Sequence, residues 1–110
     1  MNTATQNNTG LEIETTLVIS TCHITEKDDA LMASHAAEGS ISANLMCDTH
    51  RFGHVVILSD EIEEEIKTYK DDGFSEDFVK CIQLGIDTGV RNIRFDSDGS
   101  EYPFLNKNEW

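Results

Sequence analysis

The spacing of hydrophobic positions changes several times along the chain, and each change marks an element. Leu11 and Ile13 alternate with Glu12 and Glu14, and Thr16-Leu17-Val18-Ile19 then runs apolar and β-branched. Alternation passing into a continuous run predicts a strand over residues 11–24 whose second half is central and buried on both faces. Thr25 follows as an N-cap with Asp28 three residues on, a capping box with aspartate in place of the usual glutamate. Glu26, Asp28 and Asp29 suit the positive end of a helix dipole, and the helix runs through Ala36-Ala37 to a stop at Gly39.

Residues 44–59 predict a hairpin, with Leu45-Met46-Cys47 as one arm, His54-Val55-Val56-Ile57-Leu58 as the other, and residues 48–53 as the turn. Ser59 or Asp60 caps the next helix, on which Ile62, Ile66 and Tyr69 form an apolar stripe and which Gly73 ends. Ser75 begins another, with Phe74 and Val79 placed as a hydrophobic staple. Phe78, Val79, Cys81, Ile82, Leu84 and Ile86 give it a broad buried face, and Gly89 ends it. Residues 90–95 read as the last strand, Ile93 and Phe95 inward and Arg94 outward, before a turn at Asp96-Ser97-Asp98-Gly99.

The resulting order, βαββαβ-like, predicts an α+β fold: a two-layer sandwich with an antiparallel sheet and helices on one face, ferredoxin-like or related. A chain of 110 residues has room for one core, so residues 11–110 are expected to form a single domain. Residues 1–10, Asn/Thr-rich and uncharged, are expected to be a disordered tail. They lack the basic start and apolar stretch of a secretory signal, and no apolar run reaches the length of a membrane span. A cytoplasmic protein without a membrane partner is the expectation. Three widely spaced cysteines, Cys22, Cys47 and Cys81, do not make a disulfide framework and read as small buried hydrophobes.

Charge changes the picture most. Twenty-one acids stand against eight bases, a formal net charge of −13. Such a chain repels DNA, RNA and anionic lipid and attracts basic surfaces. Nine of the acids lie between Asp60 and Asp77, against only Lys67 and Lys70. With Ile62, Ile66 and Tyr69 toward the core, Glu61, Glu64, Glu65 and Asp72 face water, and Glu76 and Asp77 extend the same face. Carboxylates three and four residues apart on a helix stand about 5–6 Å from one another. That spacing is comparable to that of phosphates along a nucleic-acid strand, so the face can imitate one. The plain alternative is a solvated surface, against which the excess of one sign argues.

Other chemistry is thinner. Cys22 and His23 are adjacent on the expected strand and so point to opposite faces, which prevents a thiol–imidazole dyad between them. Cys47, His50 and His54 have ligand types suited to zinc but lack a paired fourth ligand. Asp96-Ser97-Asp98-Gly99 echoes the start of a calcium loop, yet position 12 counted from Asp96 is Lys107 rather than glutamate. No phosphate-cradling glycine loop or nucleophile elbow occurs. Neither an enzymatic activity nor a cofactor is expected.

The segment Ser20-Thr21-Cys22-His23-Ile24-Thr25, followed by Asp28, resembles the opening of an uncharacterised bacterial domain family whose members occur on plasmids, integrative elements and prophages and share an S-T-x-H-I-T signature. The ending is similar too: a strand, an Asp-x-Asp-Gly turn, and a short tail closing on an aromatic after an acid, here Glu109-Trp110. The resemblance spans residues 16–110, and residues 44–54 lack the Tyr/Trp-rich pattern of that family. It implies no activity but implies a setting, mobile elements and phages competing with bacterial defences. Small acidic anti-CRISPR and anti-restriction inhibitors are similar in size and charge, and several imitate nucleic acid.

The expected function is therefore that of an inhibitory binding protein whose acidic face occupies a basic nucleic-acid-binding site on a host defence protein or complex. Glu61, Glu64, Glu65, Asp72, Glu76 and Asp77 are the expected contacts. Two other readings stay open: a metal-binding or catalytic domain centred on Cys22, His23, Cys47, His50 and His54, and a dimeric, antitoxin-like regulatory module using a strand edge.

Overall fold

Two rows of inward side chains build the sheet. On β1 (Thr16–Ser20), β3 (Gly53–Ile57) and β4 (Asn92–Asp96), Leu17, Ile93 and Val56 align in one row and Ile19, Phe95 and His54 in the next. Ile19, Val56, Ile93 and Phe95 are fully buried, while Arg94 between the last two is exposed, as the period of two requires. β2 (Met46–His50) completes the hairpin, in register from Met46 opposite Ile57 to His50 opposite Gly53. The strands thus extend into the expected turn over residues 48–53. The computed structural model describes residues 10–37, 46–50, 53–60 and 62–110, with the side chains of residues 35–37 and 46–50 outside that description. The helix stop expected at Gly39 and the tail over residues 1–9 lie outside the described residues.

The strand order is β1-β4-β3-β2, with β1 parallel to β4 and the other pairs antiparallel. The sheet is therefore mixed rather than antiparallel throughout, and β1 lies at its edge rather than at its centre. β4 takes the interior because both its inward residues, Ile93 and Phe95, bury completely, whereas on β1 Ile19 does so but Leu17 stays only partly buried. Gly53 permits the close approach of β3 to β4, since a Cβ there would fall 1.8 Å from the Phe95 carbonyl oxygen.

Helices α1 (Glu26–Ala37) and α3 (Glu76–Thr88) pack on the inward face of the sheet, giving the two-layer α+β sandwich. Met32 from α1 and Phe78, Cys81 and Ile82 from α3 join Ile19, Val56, Ile93 and Phe95 in one core. Phe78 stacks between Phe74 and Phe95, with Tyr69 edge-on to Phe74 and Phe78. α3 is bounded as its sequence demands: Ser75 Oγ accepts the Phe78 N–H at 3.1 Å, and Gly89 ends the helix at φ 83°.

Two elements differ from expectation. The strand foreseen over residues 11–24 is β1 followed by a 3₁₀ turn at Thr21–His23, because the Ser20 hydroxyl accepts the Cys22 N–H and turns the chain. The helix foreseen up to Gly73 is a single α-turn, α2 (Ile62–Glu65), that tightens into a 3₁₀ turn at Ile66–Thr68. Thr68 Oγ1 donates to the Glu65 carbonyl at 2.8 Å, and neighbouring like charges oppose a longer helix there.

Candidate functional site

The acidic segment connects β3 to α3, and its apolar residues fix which side faces water. Ile62, Tyr69, Phe74 and Phe78 are buried, so Asp60, Glu63, Glu64, Asp71, Asp72 and Glu76 are left exposed. Both lysines of the segment are already neutralised by neighbours: Lys67 lies 3.6 Å from Glu64, and Lys70 lies 2.7 Å from Glu76. The hydrogen bond and charge of Lys70 hold the Glu76 carboxyl below its ordinary value. Among the described residues of the segment the exposed acids outnumber the two lysines, which leaves a surplus of negative charge, although the Lys27 ammonium of α1 approaches the segment at Gly73.

The expected contacts divide into two groups. Glu64, Asp72 and Glu76 lie on the exposed face. Glu65 is half-buried and accepts a hydrogen bond from the Ser59 hydroxyl at 3.3 Å. Asp77 is half-buried and committed internally: Oδ1 accepts from Asn106 Nδ2 at 3.0 Å and Oδ2 from Asn108 Nδ2 at 3.1 Å. Glu61 lies outside the described residues. Sequence reasoning overlooked Asp60, Glu63 and Asp71, whose exposure follows from the same apolar stripe that placed Glu64.

Among the described side chains, the Cys and His residues do not converge on one site. His23 is buried, and both its ring nitrogens are used by backbone: the Tyr102 N–H donates to Nε2 at 2.9 Å, so Nδ1 carries the proton and donates to the Asn106 carbonyl at 2.7 Å. His54, also buried, donates Nε2–H to the Asp29 carboxylate at 2.7 Å. The side chains of Cys47 and His50 lie outside the description. Cys81 is buried in the core, and desolvation, reinforced by the charges of Asp77 and Asp28 and by Cys22, pushes its thiol up from 9.0 to about 12. Among the described residues no three His, Cys, Asp or Glu side chains stand together so as to hold a metal ion.

Cys22 opens instead onto a shallow polar cleft of about 230 Å³, lined by Ser20, Thr21, Cys22, Ser97, Glu101, Asn108 and Trp110. One wall is the turn after β1 and the other is the C-terminal segment. That segment is tied to the turn residue by residue. The Asn108 N–H donates to the Cys22 carbonyl at 2.7 Å, and Trp110 Nε1 donates to the Ile24 carbonyl at 3.0 Å. The residues singled out at both ends of the chain, 20–25 and 109–110, thus belong to one structural unit. The Lys107 ammonium bonds the Glu101 carboxylate at 2.8 Å and holds its carboxyl below the ordinary value.

Among the described residues no helix is long and apolar enough to cross a membrane. No curated protein and no solved structure matches the chain. A family model does, over residues 16–110, and its description is the C-terminal domain of a family of unknown function, DUF5983.

Proposed function

The chain belongs to that family of unknown function, so membership brings no activity with it, and we propose that it is a binding protein whose acidic face, running from α2 to the start of α3, occupies a basic nucleic-acid-binding site on another protein. The observation that carries this reading is the distribution of charge across one segment: Asp60, Glu63, Glu64, Asp71, Asp72 and Glu76 are exposed, while both lysines among them are already paired. The carboxylates attract a basic groove over distance and accelerate encounter, and the buried Ile62, Tyr69 and Phe74 beneath them hold the face in place. Glu64, Asp72 and Glu76 are the direct contacts, with Glu63 and Asp71 beside them. Asp77 and Glu65 act from within, through the hydrogen bonds that shape the segment.

The finer reading is that the protein is an inhibitor of a host defence complex, of the anti-CRISPR or anti-restriction kind, carried by a phage or mobile element. Size, the net charge of −13 and the resemblance of residues 20–28 to proteins of mobile elements support it. Direct nucleic-acid and membrane partners are disfavoured by the same charge.

The test is capture from bacterial lysate at low and high salt, using the wild-type chain and the double variant Glu64→Lys, Asp72→Lys. The reading requires a nucleic-acid-binding protein that the wild type retains at low salt, releases at high salt and surrenders to added DNA or RNA, and that the variant fails to retain. Capture of one set of proteins by both chains, indifferent to salt and nucleic acid, rejects it.

A further inference from the structure

We infer that residues 100–110 form a latch that opens as a unit while the rest of the domain stays folded, uncovering the outer edge of β1. Among the described strands β1 bonds β4 alone, and the backbone groups on its other side need partners. The C-terminal segment supplies two of them. The Ser20 N–H donates to the Ser100 carbonyl at 2.8 Å, and the Tyr102 hydroxyl donates to the Val18 carbonyl at 2.8 Å. Beyond the strand, Asn108 N–H and Trp110 Nε1 take the carbonyls of Cys22 and Ile24. The segment stands where a fifth strand would otherwise add.

What holds the latch is polar. His23 bonds it at Tyr102 and Asn106, and Asp77 bonds it at Asn106 and Asn108. Its apolar contribution is small: Tyr102 and Leu105 are half-buried, while Phe104 is 68% exposed and Trp110 51%. Water replaces lost hydrogen bonds more readily than it compensates lost apolar burial, so this segment opens before any core element does. Once open, the segment leaves the Val18 carbonyl and the Ser20 N–H on the β1 edge, and the Cys22 and Ile24 carbonyls of the turn beyond it, to water.

Amide hydrogen exchange of the full chain tests this. The N–H groups of Ser20, Tyr102 and Asn108, far apart in sequence, are expected to exchange at one shared rate, faster than the amides of the β3–β4 ladder. Replacing Asn106 and Asn108 by alanine is expected to accelerate Ser20 and Tyr102, together with residue 108, by a common factor of about ten or more, with the ladder unchanged. Unrelated rates at the three amides, exchange in step with the ladder, or no acceleration in the variant overturns the inference. The wild-type comparison decides by itself if the variant fails to fold.

Discussion

Ser75 donates both its backbone N–H and its hydroxyl to the carboxylate of Asp28, 47 positions earlier in the chain, at 2.9 and 2.6 Å. The same carboxylate accepts the Thr25 N–H at 2.9 Å, while Thr25 Oγ1 accepts the Asp28 N–H at 3.1 Å. One wholly buried acid therefore closes the capping box of α1 and fixes the N-cap of α3. Removing it strands several buried donors at once. Asp28→Ala is expected to cost about 3 kcal/mol in urea unfolding, with Asp28→Asn in between because its amide accepts through a single oxygen. A loss well under about 1 kcal/mol for the alanine variant contradicts this role.

His23 joins the turn after β1 to the C-terminal segment in one tautomer. Since Nε2 accepts from the Tyr102 N–H, nitrogen NMR of the folded protein is expected to show the proton on Nδ1. A proton on Nε2 contradicts the geometry. His23→Phe keeps the ring volume but leaves two backbone groups unpaired, at an expected cost of about 2 kcal/mol.

Cys81 makes alkaline stability fall. Its thiol ionises near 9.0 when exposed but near 12 in the folded chain, so between those values the folded state binds the extra proton. Stability then declines as pH rises, by about 1.4 kcal/mol per pH unit attributable to this group. Denaturation between pH 9 and 11 is expected to show this slope in the wild type and to lack it in Cys81→Ala, whatever the cavity costs at neutral pH. Parallel slopes in the two proteins refute the assignment.

Gly85 lies where α3 approaches β4 most closely. A Cβ there would meet Ile93 Cδ1 at 2.5 Å and Leu58 Cδ1 at 3.1 Å. Alanine gains about 1 kcal/mol in helix propensity. Against this, pushing two packed side chains aside costs about 1–3 kcal/mol. Because Leu58 is nearly buried and Ile93 wholly so, the packing cost is expected to win, and Gly85→Ala lowers the midpoint of thermal unfolding. A raised midpoint contradicts the close approach.

The elements whose boundaries were legible are those that carry local signals. Ser75, the Phe74–Val79 staple and Gly89 announced α3, and the Thr25–Asp28 box announced α1, because caps act within a few residues. The alternation of Ile93, Arg94 and Phe95 announced β4. The place of β4 between β1 and β3 depends on which strands compete for burial, and nothing in residues 90–96 records that. α2 was foreseen too long, since the apolar stripe Ile62, Ile66, Tyr69 is satisfied equally well by an α-turn passing into a 3₁₀ turn. In the candidate site, the exposure of Glu64, Asp72 and Glu76 followed from that stripe. The internal use of Asp77 did not, because its partners Asn106 and Asn108 lie some thirty residues away in the chain.

Charge reversal separates surface from scaffold within the acidic segment. Glu64→Lys and Asp72→Lys alter exposed positions and are expected to shift stability by no more than about 0.5 kcal/mol. Asp77→Lys places a cation against the amides of Asn106 and Asn108 and is expected to destabilise the fold and accelerate exchange along residues 101–110. Equal stability in all three variants contradicts the division between outward and inward acids.

The most direct measurement is the affinity of the chain for its captured partner as a function of salt, made with and without competing nucleic acid. Affinity is expected to fall steadily as salt rises, to weaken by about tenfold or more in the Glu64→Lys, Asp72→Lys variant, and to be abolished by nucleic acid that fills the partner's own site. Affinity that holds constant from low to high salt and is indifferent to nucleic acid contradicts the proposal that the acidic face competes for a basic groove.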